Sequence, residues 1–353
     1  MKQRFTIIGG GLAGSFMAAR LCQAGQEVTL IDDQEPQSAS RVAAGLFNVI
    51  TGRYGAKSWM ADQLLEDIQA FFDIPVFQSL SKHVHYTPIY RAFKEEAEYN
   101  KWLGRSAEPA FRELVELVEQ PLLPKQIINP HGGIMILPCG WLDIPALLRE
   151  LHDILIDRWG LHIIHESVPF DHISLTNRNL WMNEAGLQSF DHLILCQGHH
   201  LTHCPWLPAG SIIPNKGEIL ILESDSLDLP FVLSKKIYMI PIGEGKFLSG
   251  STYANQFEHA EPTFPAADEI MMYVDQAIHV PVRVLDHWAG IRPTTRNRRP
   301  IIGTHPVHPC LHVLGGFGTK GVLLAPFSSR LLTDVLLTGE DQIPEEARVE
   351  RLF

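Results

Sequence analysis

Four short stretches of this chain carry residue types that could do chemistry. Gly9-Gly10-Gly11-Leu12-Ala13-Gly14 has the G-x-G-x-x-G spacing. In that spacing the first glycine permits a tight turn, the second lets backbone approach a pyrophosphate, and the third allows close helix-to-strand packing. Asp32 stands eighteen positions after Gly14, followed by Asp33, where a carboxylate can accept a hydrogen bond from a ribose hydroxyl. A second glycine-rich run, Gly315-Gly316-Phe317-Gly318-Thr319-Lys320-Gly321, follows the apolar Leu311-His312-Val313-Leu314. Arg292 opens a basic cluster with Arg296, Arg298 and Arg299; its guanidinium fork suits a carboxylate held by two parallel bonds. Finally, His199-His200-Leu201-Thr202-His203-Cys204 has the composition of a zinc site, a reading set against that of an irregular loop.

These stretches need elements to position them. Phe5 to Ile8 reads as a strand, Ser15 to Ala24 as a helix and Val28 to Ile31 as a second strand, which is half of a dinucleotide-binding βαβ unit. Both NAD and FAD use that unit, so the motif alone leaves the nucleotide open. Apolar residues recur at helical spacing from Lys57 to Phe72, and Asp143 with Pro145 predicts a helix start running to Gly160. Leu193-Ile194-Leu195-Cys196 has a buried-strand pattern closing on Gln197-Gly198. Between Gly217 and His287 three strand-like runs precede a helix over Ala267 to Ile278. Strand, glycine loop and helix then appear again, the last helix spanning Val322 to Leu337. The expected organisation is α/β, with a Rossmann-like cofactor domain from residues 1–81, 140–210 and 288–353 and an antiparallel-sheet α+β substrate domain from 82–139 and 211–287.

The bulk numbers narrow the classes. With 353 residues and 45% hydrophobic content the chain can bury a large core, which excludes disordered and fibrous classes. A formal charge of -11 argues against a protein whose affinity comes from neutralising phosphates. Five cysteines without a C-x-x-C pair fit reduced thiols, and hence a cytoplasmic location. Lys2 and Arg4 before an apolar stretch resemble a signal peptide, but glycines interrupt it. No transmembrane segment is expected, and peripheral membrane contact stays open.

Gly9 to Gly14, Ser40-Arg41-Val42-Ala43-Ala44-Gly45, Tyr238-Met239-Ile240-Pro241, Gly250-Ser251-Thr252, Trp288-Ala289-Gly290-Ile291-Arg292-Pro293, Pro300-Ile301-Ile302-Gly303 and Gly315 to Pro326 occur in that order. In this they resemble the blocks of the D-amino-acid oxidase family of flavoproteins, on the branch with glycine oxidase and sarcosine oxidase. The resemblance implies FAD as cofactor and stretches over nearly the whole chain. It implies FAD contacts for Gly9, Gly11, Leu12, Ala13, Gly14, Asp32 and Asp33, for Ser40, Arg41, Ala44, Gly45 and Leu46, for Val168 against the adenine, and for Cys196 and Gly198. Gly316, Gly318, Thr319, Lys320 and Gly321 would close over the isoalloxazine, where a helix N-terminus stabilises negative charge on the ring. Arg292 would grip a substrate carboxylate beside the flavin, with Tyr238 and Tyr253 lining the pocket.

Departures from the family pattern carry information too. Tyr253 stands where glycine oxidase carries a smaller, unbranched side chain. Arg292-Pro293-Thr294 offers no cysteine of the sarcosine oxidase kind, so noncovalent FAD is implied. Leu248 or Ser249 stands where that pattern places a lysine that assists oxygen, leaving Lys320 as a substitute. The family usually has an irregular loop where His199 to Cys204 stands, so no metal is expected. The implied activity is oxidation of an amino acid or secondary amine bearing a carboxylate. Two alternatives are a flavin oxidoreductase acting on a carboxymethylaminomethyl-type tRNA uridine and a flavin-binding protein without turnover. The first is prompted by a similar Arg-x-x-x-Arg-x-x-x-Pro-x-x-Gly block from Arg292 to Gly303.

Overall fold

The computed structural model describes residues 2–52 and 55–353. A six-stranded sheet runs in the order His162–Ile164, Glu27–Ile31, Arg4–Ile8, His192–Leu195, Leu311–Gly315 and Ile301–Thr304. All neighbours are parallel except the last pair, an antiparallel edge. The central strands are apolar throughout because both faces are covered. One face carries the helices Leu12–Gln23, Ile144–Trp159 and Gly321–Thr338, and against the last of these packs Ala61–Phe72. Leu12–Gln23 is buried on nearly every side, which explains its run of small and apolar residues. On the other face lies a cluster that includes Ile173, Leu180, Met182 and Phe190, from the three-stranded meander Ile173–Ser174, Asn179–Met182 and Gly186–Ser189 and the residue after it.

Local signals set several boundaries. Asp143 accepts a hydrogen bond from the Ala146 N–H at 3.1 Å, Pro145 fills the first turn, and Gly160 at φ 68° ends the helix. The helix expected from Lys57 begins instead at Ala61. Ala56–Lys57 is used in a ladder with Ile50–Thr51, and Met60 takes a left-handed conformation just before the helix. Among the described residues, Gly321–Thr338 is the one helix long and apolar enough to cross a membrane by length and composition. It is packed as core and carries Pro326, Arg330 and Asp334.

The second sheet has eight strands, in the order Arg283–Thr294, Ile213–Glu223, Lys246–Gly250, Ile237–Gly243, Val232–Lys235, Ile89–Ala92, Gly133–Ile136 and Val115–Val118. It is antiparallel as expected except where Val232–Lys235 meets Ile89–Ala92 in parallel. Helix Phe264–Asp275 covers one face through Ile270 and Val274. The expected boundary at 288 falls inside Arg283–Thr294, which pairs with Ile213–Glu223 through Thr294, so the chain leaves this sheet only after that residue. A small sheet of Leu46–Asn48, Cys139–Leu142 and Val84–Tyr86 lies in the segments that connect the two large ones.

Candidate active site

The first glycine motif is enforced sterically by its neighbours. Gly9 has φ 106°, and a Cβ on it would lie 2.4 Å from the Cys196 carbonyl oxygen; a Cβ on Gly14 would lie 1.9 Å from that of Gly9. Strand and helix can therefore approach this closely only with glycine at both positions. The Gly10 N–H donates to Asp32 Oδ1 at 3.1 Å, Arg41 Nη2 to Asp32 Oδ2 at 2.9 Å, and the Leu12 N–H to Ser40 Oγ at 3.0 Å. Asp32, Ser40 and Arg41 thus converge on the N-terminus of Leu12–Gln23, which has no side-chain cap. Ala13 and Gly14 are buried in its first turn, and Asp33 accepts from the Glu35 N–H at 3.2 Å.

Further along, Ala44 precedes Gly45, whose φ of 68° puts any Cβ 2.0 Å from the Leu142 carbonyl oxygen, and Leu46 opens the strand pairing with Trp141. Val168 is buried against the underside of the parallel sheet with Ile8 and Ile31. Cys196 is buried and burial pushes its thiol upward, while Gly198, at φ 56°, opens the turn Gly198–His203.

The second glycine run comes beside the first. A Cβ on Gly321 would be 3.1 Å from Leu12 Cδ1, so the two helix starts adjoin. Gly316 and Gly318 adopt φ of 72° and 55°, and the Gly318 N–H donates to the Pro293 carbonyl at 2.9 Å. This fastens the loop directly after Arg292. Thr319 is exposed, and Lys320 is the N-cap of Gly321–Thr338 without a side-chain cap bond. Two adjoining helix N-termini, neither capped by its own N-cap side chain and one with Ser40, Arg41 and Asp32 beside it, are a fit for a dinucleotide, because first-turn N–H groups and the helix dipole favour phosphate and ring oxygens.

Arg292 lies on the strand Arg283–Thr294, in register with Asn215. Nη1 donates to Asn215 Oδ1 at 2.7 Å and to the Thr252 carbonyl at 3.1 Å, and Nη2 donates to Ser251 Oγ at 2.6 Å. Its guanidinium carbon is 4.5 Å from the Tyr253 ring centroid. Every partner is neutral, and among the described residues no carboxylate forms an ion pair with it. Burial lowers its pKa, with the neighbouring Tyr253 opposing. Gly217 makes the space for it: a Cβ there would stand 1.9 Å from Nη2.

Tyr238 and Lys320 are joined by a polar path. Lys320 Nζ donates to Ser58 Oγ at 3.1 Å, Ser58 Oγ donates to the Asn48 carbonyl at 3.4 Å, and the Asn48 side chain hydrogen-bonds Tyr238. Burial raises the Tyr238 pKa, with Asn48 opposing. Burial lowers that of Lys320, and the charges of Arg299 and Arg298 lower it further. Tyr253, by contrast, is 69% exposed and stacked over Arg292. Asn48, Ser58, Asn215 and Gly217 complete the site without having been singled out by motif, and Ser251 enters from a quoted block without having been assigned a role. Only the register of strands far apart in sequence brings them in.

The stretch His199 to Cys204 splits in the fold. Cys204 is buried and burial raises its thiol pKa to about 11, whereas His199 and His200 turn toward Glu35. Two glycine-turn helix starts over a parallel sheet, facing a buried arginine on a second sheet, define a flavin-dependent oxidoreductase of two-sheet architecture.

The chain matches the DAO family, described as FAD dependent oxidoreductase, over residues 4–335, and it belongs to that family. Its cofactor is FAD. It is 32% identical to a glycine oxidase of Pseudomonas aeruginosa, over 98% of each chain. It is 25% identical to the tRNA 5-methylaminomethyl-2-thiouridine biosynthesis bifunctional protein MnmC of Legionella pneumophila, covering 94% of this chain and 54% of that one. The chain therefore spans about half the length of that relative. Iminodiacetate oxidase from Chelativorans sp. BNC1 shares the fold, with a TM-score of 0.81 at 18% identity over 98% of each chain.

Proposed function

We propose that this enzyme oxidises a small amine or amino acid carrying a carboxylate, and that Arg292 holds that carboxylate. The observation supporting this most directly is a half-buried guanidinium bonded only to neutral acceptors. Burying a charge without a partner is costly, and an incoming carboxylate relieves that cost while gaining a bidentate contact. Bound FAD would supply the acceptor for a hydride from the carbon beside the amine, leaving an imine that water hydrolyses.

The rest is positioning by the chain itself. Tyr253 covers the guanidinium face and keeps Arg292 directed at the carboxylate. The Tyr238 hydroxyl, held by Asn48 and kept neutral by burial, orients the amine. Lys320, tied to Ser58, places positive charge at the second helix start, where it would stabilise negative charge on a flavin ring held there. The pairing of Arg292 with Pro293 and Thr294 supports noncovalent attachment of the flavin, as no thiol follows it. The test is anaerobic mixing with a panel of amino acids and N-alkyl glycines. At least one should bleach the yellow flavin, and bleaching that persists at unchanged substrate dependence in Arg292→Ala overturns the assignment.

A second reading, a modified tRNA uridine presenting an amino-acid-like group, draws on the exposed Arg296 and Arg298 beside Arg292 and on the 25% identity to MnmC along most of this chain. The formal charge of -11 weighs against it. A tRNA gel shift abolished by moderate salt would favour it; no shift at low salt would dispose of it.

A further inference from the structure

We propose that Glu35, His199 and His200 form a binding site for a divalent transition-metal ion that ties the loop after Glu27–Ile31 to the turn after His192–Leu195. The three side chains come from segments 165 positions apart and meet at the carboxyl edge of the parallel sheet. Nε2 of His200 is 3.0 Å from one carboxylate oxygen of Glu35, and Nε2 of His199 is 3.8 Å from the other. All three ligand atoms lie within 4.8 Å of one another. Around a tetrahedral ion with bonds of about 2.0–2.1 Å, neighbouring ligand atoms are roughly 3.3–3.4 Å apart. The 3.0 and 3.8 Å separations run to different oxygens of Glu35, so side-chain rotations would bring one oxygen, or both in chelation, against the two imidazoles.

A structural ion pair accounts for less of this arrangement. One histidine suffices to pair a carboxylate, yet here two imidazoles 4.2 Å apart between centroids share one, each aimed at a different oxygen. An ion that displaces the proton shared by His200 and Glu35 meets two imidazoles and a carboxylate as one ligand set. Asp33 adds negative charge nearby. Two nitrogen donors to one oxygen favour zinc, nickel, cobalt or copper over magnesium or calcium, which take oxygen ligands. His199 and Glu35 are largely covered and His200 is half-open, so a fourth position faces solvent. The hydrogen bonds and contacts described for Arg292, Tyr238, Tyr253 and Lys320 involve none of these three residues.

The experiment is calorimetric titration of the flavin-loaded protein with zinc chloride, nickel chloride and magnesium chloride. Zinc and nickel should bind at a single equivalent and magnesium should not. That equivalent should be lost in Glu35→Gln and in His200→Ala and retained in His203→Ala, an exposed neighbour outside the cluster. Zinc-edge X-ray absorption of the wild type should report two imidazoles and an oxygen ligand. As a readout that needs no variant, zinc should protect His199 and His200 from diethyl pyrocarbonate, mapped by mass spectrometry. Zinc binding that survives in both variants, an absorption edge without imidazole, or no protection would overturn the proposal and leave a His200–Glu35 ion pair.

Discussion

Two arginines, Arg292 and Arg330, are both drawn into the protein but are solvated in opposite ways. Arg330 meets Asp67 through Nε at 2.5 Å and Nη2 at 2.9 Å, with Asp334 at 3.4 Å from Nη1 one helical turn along. Its pKa is raised, chiefly by the hydrogen bond to Asp67. Arg292 has three neutral acceptors and an aromatic face, and burial lowers its pKa. The protein has closed the electrostatic balance around Arg330 by itself. Around Arg292 it has supplied hydrogen bonds that aim the group but no charge that neutralises it. An arginine of the first kind joins helices; one of the second kind is preorganised for an anion.

The sharpest way to break that comparison is to remove each charge. Arg292→Ala should lose ~2–5 kcal/mol of interaction with substrate, roughly 30- to 5,000-fold in kcat/KM. Arg292→Met should leave the thermal midpoint unchanged or raise it, since a half-buried charge without a carboxylate partner disappears. Arg330→Met should do the reverse, leaving Asp67, 6% exposed, without its cation. Because Arg330 is 33% exposed, the loss should fall between the ~1 kcal/mol of a surface pair and the ~3–5 kcal/mol of a buried one. Thermal unfolding and steady-state kinetics on the four proteins decide this. If Arg292→Met destabilises as much as Arg330→Met, the distinction fails.

Gly217→Ala tests the geometry rather than the charge. The added Cβ would meet the mobile end of Arg292, not backbone, so the guanidinium yields and the fold holds. Overpacking of ~1–3 kcal/mol, taken by the site, predicts about a tenfold rise in KM with little change in thermal midpoint. Lys320 is a second cation held without an acid, and its lowered pKa gives a pH test. Its charge is lost as pH rises through a value below the ordinary 10.5. Activity that depends on the charge should fall on that alkaline limb, and Lys320→Arg should move the limb to higher pH. An alkaline limb unmoved in Lys320→Arg would remove the residue from the mechanism.

Legibility in the sequence followed the range of the interactions. Gly9, Gly14, Asp32 and the Asp143 cap act over one turn or between adjacent strands, so spacing alone identified them. The environment of Arg292 depends on Asn215, Gly217 and Ser251, brought alongside in the eight-stranded sheet and the turn after it. No local pattern encodes that arrangement. For the same reason the expected boundary at 288 cut a strand whose pairing with Ile213–Glu223 continues to Thr294. The histidine-rich turn misled in a complementary way. Its local Cys204 points elsewhere, and the acidic partner of its histidines is 165 positions from His200.

The smallest expected effect concerns Tyr253, where the comparison can be refined without touching a charge. Arg330 has its own aromatic neighbour, Phe327, at 5.8 Å, but carboxylates dominate its energy. For Arg292 the Tyr253 ring at 4.5 Å is a larger fraction of what holds it. Cation–π attraction runs from ~0.5 kcal/mol at exposed sites to ~2 when desolvated, and a ring that is 69% exposed belongs near the lower end. Tyr253→Phe keeps the stack and should leave KM within about twofold, whereas Tyr253→Ala should raise KM about two- to threefold with kcat nearly unchanged. Equal losses in both variants would assign the role to the hydroxyl, as a contact to substrate, and remove the stack from the account of how Arg292 is aimed.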